Sequence, residues 1–218
     1  MPISRRSSLL LTGALALAPL PAYAHPHVFA EARLEVAVAG TDVEALRHVW
    51  RFDDLFSSTV LFEFDQNKDL KLDEAELETV GSVILESLAE FGYFQFITAD
   101  GKDIAMTAPE RIVATFEDQQ LMVLFESSPK EKLPLAGNIH FGVYDPTFYT
   151  AIDFAEDDNL VVATLPEGCE RKVVRPDPDD ALAMNQKSLT DAFFTEPGGV
   201  DYSKLFATRL EITCAGQG

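Results

Sequence analysis

Positive charge is scarce in this chain of 218 residues: 17 lysines and arginines stand against 36 aspartates and glutamates, a formal net charge of −19. So acidic a surface repels nucleic acid and anionic membranes and attracts cations, so nucleic acid is excluded as a partner. Cysteine is limited to Cys169 and Cys214, whose separation is not a zinc-ligand spacing. The apolar run from Leu9 to Leu20 is too short, and too abruptly ended by Pro19 and Pro21, for stable membrane insertion. Enzyme signatures are also missing. There is no Gly-x-Ser-x-Gly elbow, no phosphate-binding glycine loop, no His-Glu-x-x-His helix, and no free thiol nucleophile once the two cysteines pair. Nothing marks any of the 36 carboxylates as catalytic, so the balance leans against an enzyme. No internal repeat, low-complexity tract or flexible linker interrupts the chain.

What is present begins with an export signal. Arg5 and Arg6 precede the apolar run, and Ala22-Tyr23-Ala24 supplies the small residues that signal peptidase needs. Residues 1–24 are therefore expected to be a cleaved signal peptide that sends the protein to the periplasm. The route is general secretory or, since Ser4-Arg5-Arg6 with Leu9 resembles a degenerate twin-arginine signal, twin-arginine. Cleavage removes two arginines and no acid. It leaves 194 residues, 25–218, with 15 basic against 36 acidic side chains and a net charge of −21. That length suits a single mature domain. An oxidising compartment would most simply join Cys169 to Cys214 in a disulfide closing the C-terminal region.

Residues Asp65 to Glu76 carry the clearest chemistry. Oxygen-bearing side chains stand at the first, third, fifth, ninth and twelfth positions: Asp65, Asn67, Asp69, Asp73 and Glu76. This is the ligand spacing of an EF-hand calcium loop, with Lys71 at the position where only a backbone carbonyl is needed. The departure is Leu70 at the sixth position, where glycine is usual. A side chain in the left-handed conformation required there costs roughly 1–2 kcal/mol, so a weakened site is expected. The plainer reading is an acidic turn before a helix, because Asp73 and Glu76 also spell a capping box. One such loop without a partner fits a structural clip better than a switch. Helical stripes flank it, Leu55, Phe56, Thr59 and Phe62 on one side and Leu77, Val80, Ile84, Leu88 and Phe91 on the other. These define a helix-loop-helix insert over 53–91.

The new amino terminus, His25-Pro26-His27-Val28-Phe29, is a second chemical feature. The α-amine and Nδ1 of His25 can chelate a borderline metal such as copper, nickel or zinc. Pro26 has no amide hydrogen to lose, which rules out a terminal site built on deprotonated amides at the second and third residues, but His27 can add its ring. Only His48 and His140 remain. His48 alternates with Leu46, Trp50 and Phe52, and His140 lies between Ile139 and Phe141, so each reads as a hydrogen-bonded structural histidine. The competing reading is an imidazole site in which one of them folds back beside His25 and His27.

Most of the remaining chain has strand character. Ala30 to Val38 and Val43 to Phe52 alternate around a Gly40-Thr41-Asp42 turn. Tyr93–Ile97, Arg111–Glu117, Gln120–Glu126, Asn138–Val143, Thr150–Ala155 and Leu160–Thr164 follow, with Leu205–Cys214 as a closing strand. A short helix over Pro176–Lys187 and a loop over Ser188–Tyr202 complete the β-rich lobe of 93–218. The expected class is α+β: β-sandwich-like antiparallel sheets with a helical EF-hand-like insert. The Tyr144 to Tyr149 block, Tyr-Asp-Pro-Thr-Phe-Tyr, reads as an aromatic turn.

Taken in order, the His25–Phe29 start, Trp50 with Phe52-Asp53-Asp54-Leu55-Phe56-Ser57, the acidic loop, the Tyr144–Tyr149 block and the two late cysteines resemble an uncharacterised family of exported bacterial proteins, a domain of unknown function. The resemblance spans essentially the whole mature chain. It implies the periplasmic component of a transport system, as members are often described, and some relatives occur beside, or fused to, nickel and cobalt efflux-type transporters; relatives often show glycine at the position of Leu70. The leading expectation is thus a metal-binding accessory protein serving a membrane metal transporter, with calcium in its loop and nickel, cobalt, copper or zinc as the handled ion. The alternatives are a copper-dependent oxidative enzyme using His25, and a calcium-stabilised protein-binding module.

Overall fold

A computed structural model describes residues 26–177, 180 and 203–215. The signal segment 1–24, His25, most of the helix expected over Pro176–Lys187 and the loop expected over Ser188–Tyr202 lie outside the described residues.

Two sheets and a helix pair make the fold. Strand β1 (Val28–Ala39) turns at Gly40, φ 66°, into the antiparallel β2 (Asp42–Phe52). Alternation sets their faces: Val28, Ala30, Ala32 and Leu34 point to the core, while Glu31, Arg33 and Glu35 point out. Helices α1 (Asp54–Phe64) and α2 (Glu74–Leu88) follow, then a short turn of 3₁₀ type, Ala89–Phe94. The later strands are β3 (Gln95–Ala99), β4 (Lys102–Asp103), β5 (Val113–Glu117), β6 (Gln120–Ser127), β7 (Leu133–Pro134), β8 (Gly137–Val143), β9 (Thr150–Asp153), β10 (Leu160–Val162), β11 (Cys169–Val174) and β12 (Arg209–Cys214).

The first sheet runs β10-β1-β2-β6-β5, with β7 on β2 and β9 on β1; the second runs β11-β12-β8-β3-β4. Pairing is antiparallel except that β9 and β10 lie parallel to β1. Leu34, Trp50 and Val123 of the first sheet share one apolar cluster with Ile139, Phe141, Leu210 and Ile212 of the second. The α+β, sandwich-like class expected from the sequence is therefore what the chain adopts. Its outer ion pairs, Arg47 with Glu35 (2.9 Å) and Glu126 (2.7 Å) and Arg51 with Glu31, are exposed and add little stability. Cys169 and Cys214 face each other across β11 and β12 and form the expected disulfide.

One helical stripe meets expectation only in part, with Phe56 packed against the core. Leu55 and Phe62 of α1 are 75% and 90% exposed, whereas Ser57 and Val60 are buried. The cause is local. Asp53 caps α1 by accepting from Leu55 N and Phe56 N, and the buried Ser57 Oγ accepts from Leu121 N at 2.9 Å, which turns the Ser57–Val60–Phe64 face onto β6. On α2 the expected stripe does face inward, with Val80 1% exposed and Ile84, Leu88 and Phe91 packed against the core.

Gly81 lets α2 approach the segment before β5. A Cβ there would lie 2.2 Å from the carbonyl oxygen of Ile112, a contact that only a shift of the helix or that segment relieves. Gly81→Ala is expected to cost about 1–3 kcal/mol despite alanine's better helix propensity, lowering Tm by roughly 3–10 °C. Thermal unfolding checks it, and a Tm at or above that of the wild type would refute the close approach.

Candidate functional site

The loop between α1 and α2 is built on carboxylates that accept from backbone N–H groups. Asp65 Oδ2 accepts from Leu70 N (2.8 Å) and its Oδ1 from Asp69 N (3.2 Å); Asn67 Oδ1 accepts from Asp69 N (2.9 Å) and Asp69 Oδ1 from Lys71 N (2.9 Å). Glu76, buried to 6% exposure, closes the ring: Oε1 accepts from Gln66 N and Oε2 from Asp73 N, at 2.8 and 2.9 Å. Asp73 and Glu76 thereby also form the capping box of α2. Leu70 sits at φ 63° and Lys68 at φ 62°, both in the left-handed region. Leu70 is 79% exposed and Leu72 packs against the core.

The donor set is entirely oxygen, which suits a hard cation such as calcium. Asp65, Asn67, Asp69, Asp73 and Glu76, with the Lys71 carbonyl, are the residues that would hold it. The side chains accept from backbone N–H groups, and among the described residues no three His, Cys, Asp or Glu side chains converge tightly enough to hold a metal ion.

The histidines are dispersed. His27 is exposed at the start of the first sheet; its N–H donates to the Tyr149 carbonyl at 2.9 Å, and the two rings lie 5.0 Å apart. His48 is buried on the inner face of β2, stacked on Phe125 at 4.4 Å and bonded through Nε2 to Gln95 Oε1 at 3.1 Å. His140 lies on β8 between the inward Ile139 and Phe141, so it faces away from the core, 3.8 Å from Glu211. The second sheet thus separates His140 from His48, and neither reaches His27. His48 and His140 stand where structural histidines would, while His25 falls outside the described residues.

Two further carboxylates organise this end of the molecule, and the sequence reading did not single them out. Asp53 accepts from Phe29 N (2.8 Å) as well as from the first turn of α1, linking the amino-terminal strand to the helix. Burial alone would push its carboxyl up, but the N–H groups of Phe56, Phe29, Leu55 and Asp53 itself outweigh that and hold it below the ordinary value. Asp145, 4% exposed, accepts from Thr147 N, Thr147 Oγ1 and Thr150 N, and so shapes the aromatic turn whose Tyr149 carbonyl receives His27. An Asp-Pro-Thr triplet was the available signal for that turn.

The geometry defines a two-sheet α+β protein whose helix-loop-helix insert presents an acidic oxygen-donor loop. Its family is settled by comparison. Residues 10–214 match the model of a family described as a protein of unknown function, DUF1007, and the chain belongs to that family. An uncharacterized protein of Haemophilus influenzae is 21% identical over 194 residues, covering 88% of this chain and 91% of its own length. The resemblance to an uncharacterised bacterial family is borne out to that extent. No helix among the described residues is long and apolar enough to cross a membrane.

Burial lowers the His48 ring to about 4, with the Gln95 hydrogen bond opposing the shift, against an ordinary value of 6.5. The unfolded chain therefore binds a proton that the folded chain refuses. The resulting stability is complete above pH 6.5 and is lost as pH falls from 6.5 to 4, by about 3 kcal/mol in all. Denaturant unfolding across that window should show His48→Gln losing correspondingly less than the wild type; parallel curves would mean that His48 is already solvated.

Proposed function

We propose that this protein is an exported metal-binding accessory protein that buffers or delivers a divalent transition metal for a membrane transporter, its helix-loop-helix insert held by calcium. The observation that supports the calcium part is Leu70. A leucine, which has no reason to favour a positive φ, adopts 63° at the single position where the ligand spacing calls for a left-handed residue. Calcium would replace N–H partners on the loop carboxylates, lock α1 to α2 and so stabilise the seat of both helices on the first sheet. Because the loop is single and its last ligand also caps α2, calcium serves as a clip.

The transition-metal part rests on the terminal His25 and His27 and on the tethering of His27 at the Tyr149 turn, which holds that end of the chain at a defined place on the surface. His48 and His140 take no part in it. Imidazole and amine donors select nickel, cobalt, copper or zinc over calcium, so the two sites would not compete for the same ion.

Calcium at a hundredfold excess over its dissociation constant should raise the unfolding free energy by about 2.7 kcal/mol. Asp69→Asn should weaken calcium by about tenfold or more, whereas Leu70→Gly should raise stability by about 1 kcal/mol with and without calcium and change the affinity by no more than about twofold, because Leu70 already holds φ 63°. Differential calorimetry with calcium up to about 10 mM, above the range of weak extracellular modules, decides this; a Tm unmoved by calcium would remove the clip. For the second site, isothermal titration with nickel, copper and zinc is expected to give one ion per chain starting at His25, and none when one extra residue precedes it. Binding that survives the extra residue would show that the terminal amine is no ligand.

A further inference from the structure

The helix pair does not close over the first sheet. Between them lies a cleft of about 510 Å³ with walls from Trp50, Phe52, Phe56, Val80, Ile84 and Phe91, and Glu63 and Tyr149 at its border. Its volume is that of a ligand or side-chain receptor site. The rim is apolar as well. On α1, Leu55, Thr59 and Phe62 follow at i, i+4 and i+7, with Thr59 lining the cleft and its two neighbours 75% and 90% exposed. Across the cleft Val83 is 44% exposed and Tyr149 49%. Of the large apolar side chains exposed among the described residues, Val83 and Tyr149 line the cleft and Leu55 and Phe62 flank Thr59 on α1, so four of the eight border this cleft.

Charge selects the occupant. The helices and the following turn carry Asp54, Glu63, Glu74, Glu78, Glu86 and Glu90 beside the buried Glu76, and not one lysine or arginine; Glu63 lines the cleft itself, Arg51, Lys68 and Lys71 are the nearest bases in sequence, and Arg111 lies with Glu74 and Glu78 on the β5 side. A second copy would bring the same acids against themselves, and an anionic bilayer would be repelled in the same way. A segment that pairs large apolar anchors with lysine or arginine meets both the cleft and its rim. We infer that the cleft between α1, α2 and the first sheet is a docking site for a basic, amphipathic segment of a protein partner, with apolar side chains inserted beside Trp50 and Phe56 and basic side chains over the acidic helices. The inference stands apart from the metal reading, because among the described residues neither the acidic-loop carboxylates nor His27, His48 and His140 line the cleft.

The test uses the folded chain and a labelled amphipathic helical peptide of leucine, tryptophan and lysine, followed by fluorescence anisotropy. Saturable one-to-one binding is expected, weakened about tenfold or more by Leu55→Ser with Phe62→Ser, both of which are exposed enough to leave folding intact. Val113→Ser should change nothing, Glu63→Gln with Glu86→Gln should weaken binding about threefold to tenfold, and a peptide with glutamate for lysine should not bind. Equal affinity for the wild type and the Leu55/Phe62 variant would overturn the proposal, since binding would then be bulk charge attraction. So would self-association, or sedimentation with zwitterionic phosphatidylcholine vesicles, that the same two substitutions abolish. The first result would give the cleft to a second copy, the second to a lipid surface.

Discussion

A carboxylate taken out of water must be given hydrogen-bond donors in its place, and this end of the molecule meets that demand with backbone N–H groups. Glu76 joins the start of the acidic loop at Gln66 to its end at Asp73. Asp53 joins Phe29 of β1 to the first turn of α1, and Asp145 gathers the N–H groups of Thr147 and Thr150. Glu76 and Asp53 therefore each fix two stretches of backbone at once, and Asp145 fixes one turn. Neutralising one would leave a turn with orphaned donors as well as a lost charge. The insert, the amino-terminal strand and the aromatic turn all depend on this arrangement for their relative positions, and apolar contact alone would not specify them.

Close packing is achieved at two small residues. Ser57 brings α1 onto Leu121 with a hydrogen bond, and Gly81 brings α2 against Ile112 with no side chain at all. Both contacts lie toward the β5 and β6 side of the first sheet. Toward Val28 and Thr150 the helices stand off, and the apolar cleft is what remains between them. Cleft and contact thus share one cause: seating a helix pair tightly at one side of a twisted sheet leaves its other side splayed. The large side chains that line the gap, Trp50 and Phe56 among them, limit how far it can collapse.

Much of the fold was legible because period-two alternation is a strong local signal. β1, β2, β6 and β8 run within a few residues of where alternation put them, and the left-handed turn at Leu70 was readable from ligand spacing alone. The failures share a physical origin in partners distant in sequence. The phase of α1 depends on Ser57 meeting Leu121, 64 residues away, so Leu55 and Phe62 looked like core and are surface. β11 was missed because its central Glu170-Arg171-Lys172 is polar on both faces, as an edge strand held by a disulfide can be. The parallel pairing of β1 with β9 and β10 leaves no mark in either segment. For the candidate site, the oxygen-bearing side chains of the acidic loop could be named from spacing, whereas the dispersal of His27, His48 and His140 over different surfaces of two sheets could be learned only from the fold.

That dispersal sharpens the chemistry of the proposed metal sites. A net charge of −19 raises the local concentration of every cation near the surface and discriminates among none of them. Discrimination has to come from donor type. In the proposed sites the acidic loop offers only oxygen, which favours calcium, and a histidine at the proposed mature start would offer nitrogen, which favours the borderline metals. Had His48 or His140 come beside the loop, the mixed donor set would have bound transition metals and calcium in competition. Instead His48 is sealed behind Phe125 and His140 faces away on the second sheet, so the oxygen site is kept free of imidazole by the same alternation that builds the sheets.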